Sequence, residues 1–468
     1  MTTTKNLYDL GAAELVAAYA RRELSPVEVA RSVNARIEAL EPRLCATWLF
    51  RPELALEQAR ASEARWLAGT QRGALDGVPV TIKDNLATAG DPMPLGTAAY
   101  PLVPMAQDSP PAARLKEDGT VLVAKTTMPD VGMLSSGLST FHHLSRNPWD
   151  LSRTPGGSSA GAGSAAAAGY GPLHVGTDIG GSLRLPASWC GIYSLKPSFG
   201  RIPLSTPYMG RCAGPMTRTV EDSALMMASM AQPDARDYSE LPPGAIDWAA
   251  FAVEPDFIKG KRVGLLMDAG CGLPLDPQIA EAVRRAAKRI EDAGAHVEPM
   301  QPFMTPKMLQ GMDHFWRMRS LSDLRTMSAE QRAKMLPYIL TWAESAAEFS
   351  GEHIYEAYSQ FIATRAAAVA ATVGFDFVLS PVSPNMPAPA EHASPTNDPL
   401  RSLEHIGFTV PYNMSEQPAA SINCGYSAEG LPIGLQIIGR RFDDLGVLQF
   451  SRAFEQIREP QKPWPELG

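Results

Sequence analysis

The chain has 468 residues, 45% of them apolar and 20% charged, the balance of a packed globular protein, which excludes a disordered or fibrous chain. A length of this kind divides into two or three average domains or forms one large α/β domain with an insertion. A net charge of −8 and a pI near 5.6 remove the basic footprint that phosphate-backbone binding requires, so no nucleic-acid partner is expected.

Five cysteines (Cys45, Cys190, Cys212, Cys271 and Cys424) are scattered without a Cys-x-x-Cys pair. They predict buried reduced thiols instead of a disulfide framework or a zinc ribbon. No run approaches the ~20 apolar residues of a membrane span, and the first twenty residues carry Asp9 and Glu14 in their apolar stretch, so a cytoplasmic protein without a membrane partner is expected.

In chain order, Leu10, Leu15 and Ala18 recur at helical spacing, and Ser25-Pro-Val-Glu28 spells a capping box with proline at the first helical position. Two outer helices follow from this. From Gly77 the pattern changes to β-branched runs, Val78–Ile82 and Thr120–Ala124, the second preceded by a helical Pro111–Asp118. Strands alternating with helices predict an α/β sheet. The Gly/Ser/Ala-dense stretch from 154 to 200 has a linker's composition, but it interleaves with the apolar Leu173–Thr177 and Arg184–Cys190. Its small residues are therefore expected to allow close backbone packing.

Arg262–Leu266 reads as a strand, Asp276-Pro277 caps a helix carrying Ile279, Val283, Ala287 and Ile290, and Gly294 closes it before a strand from Val297. Residues 300–372 read as helical, with Met300, Met304, Met308 and Met312 four apart and Phe315, Trp316, Trp342, Tyr355 and Tyr358 following. Such a stripe serves a core more often than a cofactor, yet methionine and aromatics also line adaptable pockets, which makes this stretch the candidate lid or pocket insertion. Phe375–Leu379, Pro432–Ile438 and a helix over Leu445–Ile457 complete the pattern. The expected organisation is an N-terminal helical layer over 1–75, a catalytic core over 76–260, and the rest of the same domain over 261–468.

Three segments carry chemistry jointly: Lys83-Asp-Asn85 at a strand end, Pro155-Gly-Gly-Ser-Ser-Ala-Gly161, and Gly176-Thr-Asp-Ile-Gly-Gly-Ser-Leu-Arg184. Each is common alone; their order, with Lys83 upstream of Ser158 and Ser182, is informative. The set resembles the amidase signature family, and Arg184–Ala187, Cys190-Gly191, Leu195–Pro197, Gly200-Arg201, Gly214–Asp222 and Gly430–Gln436 look like its landmarks in the same order. The resemblance spans about residues 7–460. Small departures are Ala160-Gly161 and Tyr193-Ser194, where the family more often has smaller pairs.

The resemblance implies a single α/β/α domain with a mixed central sheet, plus the helical insertion. It implies Ser182 as nucleophile, Ser158 as the bridging serine after a cis Gly157–Ser158 bond, and Lys83 as the base, with no metal or organic cofactor. A lysine base must be neutral near pH 7, which requires burial or a neighbouring cation, and the flank Val78-Val80-Ile82 makes burial credible. Ile179, Gly180 and Gly181 can aim backbone N–H groups at an oxyanion, while Ser159, Asp178 and Arg184 support the loop.

The expected substrate is a small neutral amide, anilide or carbamate (urethane), cleaved through a seryl acyl-enzyme with ester hydrolysis as a side activity, and a homodimer is left open. The alternative within the family is a glutamine-hydrolysing amidotransferase subunit. Two rivals are weaker. Gly157–Gly161 also fits the Gly-x-Ser-x-Gly elbow of α/β-hydrolases with Ser159 as nucleophile, which needs a histidine partner, and Gly161-Ala-Gly163 faintly mimics a dinucleotide fingerprint.

Overall fold

The computed structural model describes residues 6–467. Eleven strands form one sheet: β1 (Thr47–Phe50), β2 (Pro79–Lys83), β3 (Val121–Thr126), β4 (Leu173–Asp178), β5 (Tyr193–Lys196), β6 (Cys212–Thr217), β7 (Arg262–Leu265), β8 (His296–Pro299), β9 (Phe377–Pro381), β10 (Ala419–Tyr426) and β11 (Pro432–Gly439). Their spatial order is β1-β3-β2-β4-β6-β5-β10-β11-β9-β7-β8. The sheet is mixed: β3, β2 and β4 run parallel, as do β8, β7 and β9, and the strands between them pair antiparallel. This is the mixed α/β fold that the sequence predicts.

The helices begin where capping chemistry allows. Ser25 accepts from the Val27 amide at 3.0 Å while Glu28 accepts from the Ser25 amide at 2.9 Å, opening the helix Pro26–Leu44. Asp276 caps Pro277–Asp292 in the same way, accepting from the Gln278 amide at 2.8 Å. The large core packs these two helices and the closing helix Asp444–Ile457 onto the strands through Val33, Ile37, Val283, Ile290, Leu448 and Phe450.

The Gly/Ser/Ala stretch forms a wholly buried helix, Ala160–Ala168. A side chain on Gly161 would lie 2.1 Å from the Ala46 carbonyl oxygen and 2.5 Å from the Thr127 amide, so only glycine permits this approach. Here the small residues serve close packing, as expected.

The methionine periodicity misled in one respect. Residues 300–305 are not helical; Thr305 accepts from the Met308 amide at 3.3 Å and Pro306 follows at the first helical position, so the helix runs from Pro306 to Thr326. Three further helices, Ala329–Arg332, Pro337–Glu344 and Gly351–Thr372, complete the insertion. Its core is a second cluster with Met304, Met312, Trp316, Trp342 and Phe361 buried against Leu185 and Ile406. The thiols differ partly from expectation as well: all five cysteines are free, but Cys45 and Cys271 are only half-buried. No described helix is long and apolar enough to cross a membrane.

Candidate active site

The period of two along β2 sorts its side chains by face. Val80 and Ile82 enter the large core, while Thr81 and Lys83 point the other way. Because β2 and β4 are parallel neighbours, with Ile82 opposite Val175, the end of β2 comes beside Gly176 and Thr177. Loops at the carboxyl ends of parallel strands are where open α/β sheets place ligand sites.

Lys83 is fully buried, and its Nζ has hydroxyls for company: Ser158 Oγ at 2.8 Å, Ser159 Oγ at 3.0 Å and Thr177 Oγ1 at 3.0 Å. It forms no ion pair among the described residues. Burial, and then the positive charge of Arg211, push its pKa well below the ordinary lysine value, against the weaker opposing pull of Asp178 and Asp84. Asp84 is engaged elsewhere, accepting from the Gly96 amide and bonded to His142 Nε2, both at 2.8 Å. Two other lysines among the described residues are buried. Lys125 Nζ donates to the Leu86 carbonyl, with its pKa lowered to about 8 by burial, and Lys196 Nζ donates to the Pro197 carbonyl at 2.8 Å. Neither reaches the serines.

The Gly157–Ser158 peptide bond is cis. Ser158 lies in the turn before the helix Ala160–Ala168, facing Lys83. Ser182 lies in the turn between β4 and the helix Arg184–Cys190, and Ser158 and Ser182 line one cavity. The Ser182 carbonyl accepts from the Ser159 amide at 3.3 Å, tying the two turns together, while its hydroxyl has no hydrogen-bond partner among the described residues.

Asp178 and Arg184 hold the Ser182 turn. Arg184 Nε and Nη2 meet the two Asp178 oxygens at 3.0 and 2.9 Å, and both side chains are fully buried. Burial would raise the Asp178 carboxyl, but the charge and hydrogen bonds of Arg184, with Asn413 added, hold it well below the carboxylate range. Asp178 also accepts from the Gly181 amide at 2.8 Å and the Leu183 amide at 3.0 Å. Gly181, at φ 137°, takes a backbone conformation that suits glycine, and its N–H is committed to Asp178. The N–H groups of Ile179 and Gly180 have no such partner among the described residues.

Ser159 is spent on the scaffold: its hydroxyl donates to the Thr177 carbonyl at 3.1 Å and accepts from the Thr177 amide at 3.2 Å. No described histidine bonds to it, which removes the partner that the elbow alternative requires.

A likeness to known proteins extends over the whole fold. The Amidase family model matches residues 28–448. The chain belongs to the amidase signature family. It is 32% identical to the A subunit of the glutamyl-tRNA(Gln) amidotransferase of Heliobacterium modesticaldum, covering 99% of each chain. It is 34% identical to the protein of the same name from Myxococcus xanthus, covering 96% of this chain and 97% of that protein. Among solved structures, a bacterial aryl acylamidase of the amidase signature family superposes with a TM-score of 0.87 at 30% identity, covering 96% of both chains. As an amidase-family protein, the chain is an enzyme acting on carbon–nitrogen bonds.

Sequence reasoning did not single out the residues that close the site from elsewhere. Thr177 and Asn85 sit inside the three chemistry-bearing segments, and Asn85 Nδ2 donates to Thr177 Oγ1 at 3.1 Å. Met133, Tyr208, Arg211 and Arg319 line the same cavity from three separate segments with no motif to mark them. Trp316, Leu403 and Ile406 extend it into an adjoining apolar cavity that also reaches Ser182.

Proposed function

We propose that this protein is a serine amidohydrolase in which Ser182 attacks the amide carbonyl, Ser158 relays the proton and Lys83 receives it. The observation that carries this reading is the contact of the buried, cation-depressed Lys83 amine with Ser158 Oγ at 2.8 Å. A neutral amine has two N–H donors and one lone pair. Ser159 already gives its proton to the Thr177 carbonyl, so it accepts from Lys83, and Thr177 Oγ1 accepts the second N–H. The lone pair is left facing the Ser158 hydroxyl, the arrangement a general base needs.

As Ser182 Oγ bonds to the carbonyl carbon, its proton passes to Ser158 and that of Ser158 to Lys83. The oxyanion is held by the N–H groups of Ile179 and Gly180. Lys83 then returns a proton through Ser158 to the departing nitrogen, the C–N bond breaks, and water releases the acyl group by the same route. In apo sites such contacts are often long and tighten with substrate, which suits the unpaired Ser182 hydroxyl.

The substrate we infer is an amide, anilide or carbamate with an apolar group, because Trp316, Leu185, Leu403 and Ile406 wall the cavity beside Ser182. The second reading, hydrolysis of glutamine for a partner protein, is favoured by the names of the curated relatives. Glutamine carries an ammonium group that needs an acid. Among the described residues lining the two cavities the one acid is Asp178, already paired with Arg184. Turnover of acetanilide, a phenyl carbamate and glutamine by purified protein, with intact-mass detection of a seryl adduct, tests this choice. Anilide or carbamate hydrolysis is expected to exceed that of glutamine by at least about tenfold; glutamine hydrolysis alone would establish the second reading.

The pH profile tests the base. Activity requires neutral Lys83, so kcat/KM is expected to rise with pH through a pKa well below 10.5 and then level. Arg211→Gln removes a cation that favours the neutral amine, so the rising limb should move to higher pH. A limb that stays in place or moves to lower pH would remove Lys83 from the role.

A further inference from the structure

Two guanidinium groups line the site with no ion-pair partner among the described residues. Arg211 follows the loop that carries Tyr208, and its side chain has no hydrogen bond or ion pair among the described residues. Burial, and then the neighbouring charge of Arg319, lower its pKa. Arg319, from the helix Pro306–Thr326, meets soft groups: its Nη2 donates to Met133 Sδ at 3.1 Å, and its guanidinium lies over the Tyr208 ring at 5.1 Å. Several other partly buried arginines are matched to carboxylates, as Arg65 is to Asp76 and Arg201 to Asp444. Two adjacent like charges partly withdrawn from water without a counter-charge are costly.

The rest of the lining has the same bias. Arg319 Nε, the Tyr208 hydroxyl and Trp316 Nε1 are buried without a hydrogen-bond partner among the described residues. Trp316 borders the apolar cavity and Tyr208 the polar one, and both cavities include Ser182 and Arg319. Donors therefore converge on a space in which the one carboxylate, Asp178, is already neutralised by Arg184. Buried donors are normally satisfied, and guanidinium groups are matched to planar anions.

We infer that Arg211 and Arg319 bind a carboxylate of the substrate, so that the preferred amide has an apolar group on one side of the scissile bond and a carboxylate on the other. This rests on the amidohydrolase reading and revises the neutral substrate expected from the sequence. The apolar half occupies the cavity of Trp316 and Ile406, and the anion lies between the two arginines. Both arms of an acyl-transfer substrate can supply such a group: a monoanilide of a dicarboxylic acid on the acyl side, or an N-acyl amino acid on the amine side.

The test compares succinanilic acid and N-benzoylglycine, each with its own methyl ester, in the wild-type protein and in Arg211→Gln and Arg319→Gln. Taking the ratio of acid to ester within each protein cancels any change in Lys83 caused by the substitution. One of the acids is expected to exceed its ester in kcat/KM by about tenfold to a hundredfold, the range for charge-assisted hydrogen bonds. Which acid does so reports the side of the bond that faces the arginines. Each substitution should bring that ratio to within about threefold of one. The inference is overturned if both esters match or exceed their acids in the wild type, or if the acid preference survives both substitutions. If neither pair is hydrolysed, the amidohydrolase reading is left to the acetanilide, carbamate and glutamine test, and calorimetry with Ser182→Ala decides the site. Tighter binding of an acid than its ester, lost on Arg319→Gln, would uphold the anion site, and equal binding would overturn it.

Discussion

Ser182→Ala is expected to lower amide turnover by about 10⁴-fold or more, and Lys83→Met to do so to a similar extent, because the nucleophile and its base act in one step. The double variant should be no slower than either single one, since groups that act as a unit are not additive. Measured single-turnover rates on an anilide check this, with intact mass showing no adduct in any of the three. Ser158→Ala interrupts the proton path between them and should fall in the same range. A Ser159→Ala variant should lose less, because Ser159 stabilises Thr177 and the Lys83 amine without standing between base and nucleophile. If Ser159→Ala were as inactive as Ser182→Ala while Ser158→Ala kept full activity, the assignment of the relay would be reversed. Retention of full activity by Lys83→Met would end it.

Arg184→Met is expected to destabilise the fold by about 3 to 5 kcal/mol, the cost of leaving one member of a buried ion pair uncompensated. Against a typical total of about 5 to 15 kcal/mol this is a large fraction, and chemical denaturation would read it directly. Arg184 also donates to the Thr409 carbonyl at 2.8 Å, the Gln436 side chain at 2.7 Å and the Asn413 side chain at 2.6 Å, so the variant strips several elements of a shared partner.

The effect has a sign in pH. In the wild type the Asp178 carboxyl is held below its ordinary value of 3.8, so its contribution is fully present above that pH and is lost only as pH falls through the folded value. Without Arg184, burial raises the same carboxyl, the folded state binds more protons than the unfolded one, and stability falls as pH rises above about 4. The gap between variant and wild type should therefore be smaller near pH 4 than near pH 7. A gap that shrinks toward neutral pH would contradict this account of the pair. Activity should fall with stability, because Asp178 holds the amides of Gly181 and Leu183 on either side of Ser182.

Local and repetitive features were legible in the sequence. The apolar flank Val78-Val80-Ile82 pointed to a buried Lys83, capping residues at Ser25 and Asp276 marked helix starts, and the glycine-rich segment around Ser182 carried the family likeness. Strands β5 and β6 were not legible, because Tyr193–Lys196 is only four residues long and Cys212–Thr217 carries Gly214 and Pro215, residues that read as a turn. The methionine period was legible but mistaken at its start, where Thr305-Pro306 overrides it.

The character of the pocket, by contrast, arises from long-range packing. Lys83 becomes a credible base because Ser158, Ser159 and Thr177 replace water around it and Arg211 adds a repelling charge, none of which is near it in sequence. Arg211 and Arg319 look like surface charges when each is read in its own segment. Folding brings them to one cavity with no ion-pair partner for either among the described residues, and pairing of this kind depends on distances that no local pattern records.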